Sequence, residues 1–161
     1  MDGRYIFAQF HFHWGSSDDH GSEHTINGVT RLHRFTAAAL FLSHEYYSQD
    51  YYPMELHLVH FKRDYGTTLT QAVTTSKGAN DTLAVLGILF EIQEEDNEDL
   101  EQLTDALDKI EARDDEIDMA AFPMVTLLPR NTDGFYRYYG SLTTPGCNEV
   151  VVWTLFKVNK K

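Results

Sequence analysis

Two segments of the chain alternate polar and apolar residues with the period of a β-strand. In the segment from Tyr5 to Trp14, the side chains of Gln9, His11 and His13 alternate with aromatic and apolar ones, and the segment from Met54 to Phe61 shows the same alternation. Successive side chains of a strand point to opposite faces, so residues i and i+2 share a face. The alternation therefore predicts two strands whose polar side chains lie together on one side of a sheet.

The rest of the chain adds further strands and one amphipathic helix to this prediction. Apolar residues recur at helical spacing from Asn97 to Ile110, at Leu100, Leu103, Leu107 and Ile110, and a weaker pattern from Thr36 to Tyr47 predicts a second, short helix. Strands are predicted over Thr82 to Ile92, Phe135 to Leu142 and Glu149 to Val158. We expect a mostly β fold, a large twisted and mainly antiparallel sheet with peripheral helices, in a single unit over residues 1–161 because no repeat or linker divides the chain.

Charge and hydropathy exclude two classes of partner. The formal net charge of −12 disfavours binding to nucleic acid or to anionic membranes. The apolar stretch from Phe35 to Leu42 is too short for a transmembrane segment. No signal-peptide pattern occurs near Met1. We therefore expect no nucleic-acid partner and no membrane-spanning segment, whereas the net charge says little about a small-molecule substrate, because a local site can oppose the global charge.

Three histidines on the two alternating segments suggest a metal site. His11 and His13 are two residues apart and share a face, and a neighbouring antiparallel strand would bring His57 beside them. Three neutral imidazoles occupy three corners of a tetrahedral zinc site and leave the fourth for water. Gln9 and Glu55 share faces with these histidines and are candidate hydrogen-bond partners for them, although a solvent-facing sheet surface would show the same alternation.

Four motifs in this order resemble the signature blocks of the alpha-class carbonic anhydrases. They are Phe10-His11-Phe12-His13-Trp14-Gly15, Ser22-Glu23-His24-Thr25-Ile26-Asn27-Gly28, Met54-Glu55-Leu56-His57-Leu58-Val59-His60 and Ser141-Leu142-Thr143-Thr144-Pro145. Leu83-Ala84-Val85-Leu86-Gly87 and Val151-Val152-Trp153 match two further blocks. The resemblance implies zinc-dependent, reversible hydration of carbon dioxide to bicarbonate and a proton by metal-bound hydroxide, and inhibition by sulfonamides.

The resemblance also implies a role for individual residues. His11, His13 and His57 would bind Zn²⁺, with Gln9 and Glu55 as their hydrogen-bond partners. Thr143 would accept a hydrogen bond from the nucleophile while donating its own proton to Glu23, and His24 would be a buried structural histidine. The wall of the carbon dioxide pocket would consist of Val59, Val85, Leu142, Thr144, Val151 and Trp153.

Two departures from the family pattern leave alternatives open. The match covers nearly the whole chain but only the central part of the family's domain, and roughly twenty extra residues, at about 30–51, interrupt what is usually a short hairpin. That segment is either a genuine insertion or a gene-model artefact. The alternatives to an active enzyme are a catalytically impaired binding module and a non-functional fragment, and zinc-dependent esterase activity is a possible side reaction.

Cys147 and the glycosylation sequon Asn80-Asp81-Thr82 bear on localisation. In secreted and membrane-anchored members of the family, a cysteine at the position of Cys147 pairs with one in the amino-terminal region, which this chain lacks. These two features favour a secreted or extracellular parent protein.

Overall fold

Strand pairing joins the described part of the chain into one five-stranded sheet of order β1-β2-β3-β5-β4. The computed structural model describes residues 2–26, 52–110 and 116–157. The strands are β1 (Tyr5–Trp14), β2 (Met54–Lys62), β3 (Leu83–Phe90), β4 (Phe135–Gly140) and β5 (Val151–Phe156). All pairings are antiparallel except that of β3 with β5, which is parallel. The predicted mostly β, mainly antiparallel fold is confirmed.

Two short α-helices accompany the sheet in these residues, α1 (Leu69–Thr75) and α2 (Glu101–Leu107). Single 3₁₀ turns span Arg63–Tyr65, Glu98–Leu100 and Met124–Leu127. Helix α1 begins at an N-cap, Thr68, whose side chain accepts a hydrogen bond from the backbone N–H of Gln71. None of the helices in the described ranges is long and apolar enough to cross a bilayer.

The helix predicted from Asn97 to Ile110 is shorter than its apolar pattern suggests. Only Glu101–Leu107 is α-helical, after a 3₁₀ turn, and the side chains of Leu107 and Ile110 are 62% and 37% exposed. Leu100 and Leu103 pack against the sheet, whereas the last two apolar positions of the pattern lie beyond the edge of the core. The helix predicted from Thr36 to Tyr47 lies outside the described residues.

The two faces of the sheet carry separate apolar clusters, as expected when side chains alternate across buried strands. One cluster contains Leu56, Leu58, Ile88, Leu127 and Phe156, and residues of β1 and α2 pack against it. The other contains Val59, Phe61, Ala72, Leu83, Val85, Val150, Val151 and Trp153. Glu55 and His57 precede Val59 at two-residue intervals on β2, so the candidate site lies on the face of this second cluster, which we call the Trp153 cluster.

A β-bulge at Ala8 changes which side chains of β1 share that face. Phe7 pairs with His60, but Gln9 pairs with Val59, so one residue of β1 is left over. Beyond the bulge, His11 lies opposite His57 and His13 lies opposite Glu55. The bulge therefore separates an amino-terminal part of β1, whose Phe7 contacts His60 on the other face, from the part that carries the candidate metal ligands.

Candidate metal centre

The rings of His11, His13 and His57 converge at the centre of the β1–β2 pairing. The ring centroids of His11 and His13 are 4.9 Å apart, those of His11 and His57 are 5.2 Å apart, and those of His13 and His57 are 4.6 Å apart. One ring nitrogen from each residue lies within 4.8 Å of those from the other two. The structure thus brings together the three residues that the sequence analysis selected as zinc ligands.

Hydrogen bonds occupy the outer nitrogens of two of these rings and leave the inner ones available. Nδ1 of His11 lies 3.1 Å from Oε1 of Gln9, and Nε2 of His57 lies 2.7 Å from Oε1 of Glu55. The remaining nitrogens are Nε2 of His11 and Nδ1 of His57. Gln9 and Glu55 thus contact His11 and His57, and each hydrogen bond fixes the orientation and tautomer of a ring.

The environment of His13 tests whether a cation fits between the three histidines. Its Nε2 atom is buried and has no hydrogen-bond partner among the described residues. A buried polar atom left unpaired costs about 1–3 kcal/mol, so native proteins rarely keep one without a reason. Coordination to a metal ion would satisfy this nitrogen. Three imidazole nitrogens within 4.8 Å of one another fit zinc, which binds histidine in tetrahedral sites.

The electrostatic environment keeps imidazoles in the neutral form that a metal requires. Burial lowers the pKa of His11, and the neighbouring rings of His57 and His13 lower it further. Burial also lowers the pKa of His13, against an opposing effect of the Glu23 carboxylate. A neutral imidazole offers a lone pair to a cation, whereas a protonated one does not.

Glu55 is the most buried charged group beside these histidines, with no exposed surface. Its Oε2 atom accepts hydrogen bonds from the backbone N–H groups of Glu23 at 2.9 Å and His24 at 2.8 Å. Its Oε1 atom lies 2.5 Å from Nδ1 of His24, in addition to its contact with His57. Burial alone would raise the pKa of Glu55, but the hydrogen bonds from His24 and His57 outweigh it and hold the pKa well below its usual range.

His24 and Tyr138 extend this network, and the sequence analysis missed both contacts. Nε2 of His24 lies 2.5 Å from the hydroxyl oxygen of Tyr138 on β4. His24, Glu55 and His57 also place ligand atoms close together, but the hydrogen bonds among them use those atoms. The resemblance implied a buried structural histidine at His24 but no contact with β2 or β4, and the residue is half-buried.

The predicted catalytic pair, Glu23 and Thr143, is only partly assembled. Oε2 of Glu23 lies 3.5 Å from Nε2 of His13 and 3.9 Å from Nδ1 of His57, so its carboxylate borders the three histidines. Thr143 is exposed in the segment between β4 and β5. Within the described residues no hydrogen bond joins its hydroxyl to Glu23, and the predicted role of this pair stays a prediction.

Most residues predicted to line the substrate pocket lie on the sheet face that carries the histidines. Val59, Val85, Val151 and Trp153 are buried in the Trp153 cluster, and Leu142 packs against it. The centroid of the Trp153 ring lies 4.8 Å from that of His57. Thr144 is exposed, and its carbonyl accepts a hydrogen bond from the backbone N–H of Cys147.

Two features bear on the predicted localisation. Cys147 is an exposed free thiol, and Asn80 of the sequon is exposed. An extracellular location of the parent protein stays a prediction.

Comparison with known proteins gives one consistent family. The family model for eukaryotic-type carbonic anhydrase matches residues 1–35 and 42–161, and its interruption falls inside the segment predicted to be an insertion. Carbonic anhydrase 3 of Mus musculus is 40% identical over 157 residues, and that of Homo sapiens is 39% identical over the same length. Each alignment covers 98% of this chain and 50% of the relative, so the chain spans about half the length of the curated relatives it matches.

Proposed function

The chain belongs to the eukaryotic-type carbonic anhydrase family, and on this premise we propose that it hydrates carbon dioxide reversibly to bicarbonate and a proton with the aid of zinc. The observation that carries the proposal is the proximity of three ring nitrogens, one of them the buried Nε2 of His13, which has no hydrogen-bond partner among the described residues. The proposed ligands are Nε2 of His11, Nε2 of His13 and Nδ1 of His57. Zinc held by three neutral imidazoles supplies a hydroxide-strength nucleophile at neutral pH, chemistry for which carbonic anhydrase is itself the standard example.

The residues around these ligands support that chemistry by holding them in place. Gln9 and Glu55 occupy the outer nitrogens of His11 and His57, so the inner nitrogens are presented in the unprotonated form. A ligand already oriented for the metal loses little rotational freedom when the metal binds. Positioning of this kind is how a protein raises metal affinity without adding a ligand.

The apolar side chains of the Trp153 cluster suit a small, uncharged and weakly polar substrate. Val59, Val85 and Trp153 are almost fully buried on the face that carries the histidines. We propose that they hold carbon dioxide and exclude water beside the nucleophile. Thr143, Thr144 and Leu142 would approach from the turn between β4 and β5. The Thr143 hydroxyl would orient the nucleophile through Glu23, which already borders the histidines.

Zinc content and activity test the proposal together. We expect one zinc per purified chain, together with carbon dioxide hydration that an aromatic sulfonamide abolishes. His57→Asn should lose both, whereas the matched variant His60→Asn should keep both, because His60 lies on the same strand but contacts Phe7 on the opposite face. A folded chain that takes up no zinc would refute the ligand assignment.

A second candidate is a zinc-binding but catalytically impaired member of the family, because Thr143 is exposed and no hydrogen bond joins it to Glu23 within the described residues. Its signature would be one zinc per chain with no sulfonamide-sensitive hydration. The same zinc-dependent nucleophile would also permit slow ester hydrolysis, which an activated aryl ester would detect.

A further inference from the structure

Three consecutive side-chain hydrogen bonds connect the edge strand β4 to the metal ligands. The hydroxyl of Tyr138 lies 2.5 Å from Nε2 of His24, and Nδ1 of His24 lies 2.5 Å from Oε1 of Glu55. The same carboxylate oxygen lies 2.7 Å from Nε2 of His57. The four residues come from two strands and one loop, so the tertiary fold and not local sequence creates the connection.

The chemistry of each group assigns the direction of these hydrogen bonds. His57 directs Nδ1 towards the other two histidines, so its proton is on Nε2 and is donated to Glu55. Glu55 accepts backbone N–H groups from Glu23 and His24 on its other oxygen, so its carboxylate acts as the acceptor towards both rings. The Nδ1 of His24 therefore donates to Glu55. In the neutral ring, Nε2 of His24 is then an acceptor, and Tyr138 must donate to it.

Tyr138 is suited to be this donor. Burial, followed by the charges of Glu55 and Glu23, raises its pKa to about 12, so the phenol keeps its proton at physiological pH. Its ring stacks on that of Trp153, with an interplanar angle of 13° and a centroid distance of 6.4 Å. The centroid of Trp153 in turn lies 4.8 Å from that of His24. The hydroxyl is therefore held in place although the residue is 41% exposed.

We propose that Tyr138 is a positioning residue for His57, acting through His24 and Glu55. By donating to Nε2 of His24, it selects the tautomer that carries its proton on Nδ1. That proton and the one on Nε2 of His57 both bind Oε1 of Glu55 and fix the carboxylate that orients the His57 ring. Without the hydroxyl, His24 can move its proton to Nε2, and Glu55 loses one of the donors that hold it. The metal role of His57 rests on the proposed function.

The test compares Tyr138→Phe with the matched variant Tyr139→Phe. Tyr139 is the next residue on β4, points to the other face and is 66% exposed. Zinc release is followed with a chromogenic chelator in excess. We expect Tyr138→Phe to release zinc about tenfold faster, the lower end of the effect seen when a ligand's hydrogen-bond partner is removed. Tyr139→Phe should release zinc at the parental rate.

A second measurement does not need zinc. Nitrogen-15 NMR of the zinc-free parent protein should show His24 neutral and protonated at Nδ1, and in Tyr138→Phe the signal should shift towards the other tautomer. A merely structural role for Tyr138 would not move this signal selectively. Equal release rates in the two variants, or a proton on Nε2 of His24 in the parent, would overturn the inference.

The two proposals fail in different ways. A parent protein that binds no zinc refutes the proposed function, while the His24 tautomer still decides whether Tyr138 acts on the network. If Tyr138→Phe does not fold, the tautomer of His24 in the parent protein decides the question.

Discussion

His57 faces Gly87 across the pairing of β2 with β3, and the carboxylate of Glu55 extends over this glycine. A Cβ atom at position 87 would lie 3.2 Å from Oε1 of Glu55 and 2.9 Å from Cδ1 of Leu155. Only a residue without a side chain leaves the carboxylate room to contact both His24 and His57.

Gly87→Ala is therefore expected to disturb the metal centre as well as the core. The added methyl group must displace either Leu155 or the Glu55 carboxylate, and overpacking of this kind costs about 1–3 kcal/mol. Urea denaturation would measure the loss in the free energy of unfolding, and chelator competition would show weaker zinc binding. Gly134→Ala is the control, because its Cβ would meet only the flexible side chain of Lys157. Unchanged zinc affinity in Gly87→Ala would contradict the argument.

Glu55→Ala should be among the most destabilising substitutions in the chain. It removes the acceptor for two backbone N–H groups and two imidazoles, and the Glu55 side chain itself has no exposed surface. Because each buried donor left unpaired costs about 1–3 kcal/mol, we expect a loss of roughly 3 kcal/mol or more. Circular dichroism during urea denaturation would measure it. Glu94→Ala, at an exposed position, should leave the midpoint unchanged. A loss below about 1 kcal/mol in Glu55→Ala would mean that water replaces the carboxylate.

The zinc-free protein should lose stability as the pH falls below about 6.5, the ordinary pKa of an imidazole. Burial lowers the pKa of His11, His13 and His60 in the folded chain, so the unfolded chain binds more protons between those lowered values and about pH 6.5. Stability must therefore rise with pH through this interval. The lowered pKa of Glu55 affects stability only below the ordinary value of 4.5. The contributions of the histidines and of Glu55 therefore fall in different pH ranges.

Urea midpoints measured at about pH 5.5 and about pH 7.5 would give this slope. Replacing His11 and His13 together by Asn should flatten the pH dependence and leave the part that His60 contributes. An unaltered slope in the double variant would show that these two imidazoles do not resist protonation.

Trp153→Phe should lower the stability of the protein by loosening the apolar packing beside the histidines. The Trp153 indole is 3% exposed, and its Nε1–H donates to the carbonyl of Ser141 at 3.1 Å. Phenylalanine leaves that carbonyl without its donor and opens space beside His24 and His57, so we expect a loss of roughly 1–3 kcal/mol. Thermal denaturation would measure it. The control is Trp14→Phe, because Trp14 is 72% exposed and should tolerate the change. Equal losses in the two variants would contradict the assignment of Trp153 to the core.

The two-residue alternation and the sequence motifs predicted the parts of the site that lie on single strands. The alternation in β1 and β2 placed Gln9 with His11 and Glu55 with His57, because residues two apart on a strand share a face whatever the rest of the fold. The contacts of Glu55 with His24 and of His24 with Tyr138 could not be predicted in this way. They depend on where a loop and the edge strand lie in three dimensions, and no local pattern specifies that.

The errors in the secondary structure have the same origin. The leucine pattern of α2 predicted its apolar face but not its end, because the position of the core edge decides whether Leu107 is covered. Helix α1 has too few buried side chains to produce a period in the sequence, with only Ala72 fully buried. The alternation of polar and apolar residues could not predict the bulge at Ala8, because the bulge is defined by the pairing of β1 with β2.

The parallel pairing of β3 with β5 has a kinetic consequence. The histidines lie on β1 and β2, which pair antiparallel, and β3 continues the same meander. Trp153 and Tyr138 reach them only after β5 has crossed over and aligned with β3, a contact between positions far apart in the sequence. Contacts of such high contact order form slowly. We therefore expect His11, His13 and His57 to come together early in refolding, and Trp153 and Tyr138 to pack beside them last. Metal added early would then bind three histidines whose side chains are not yet held in place.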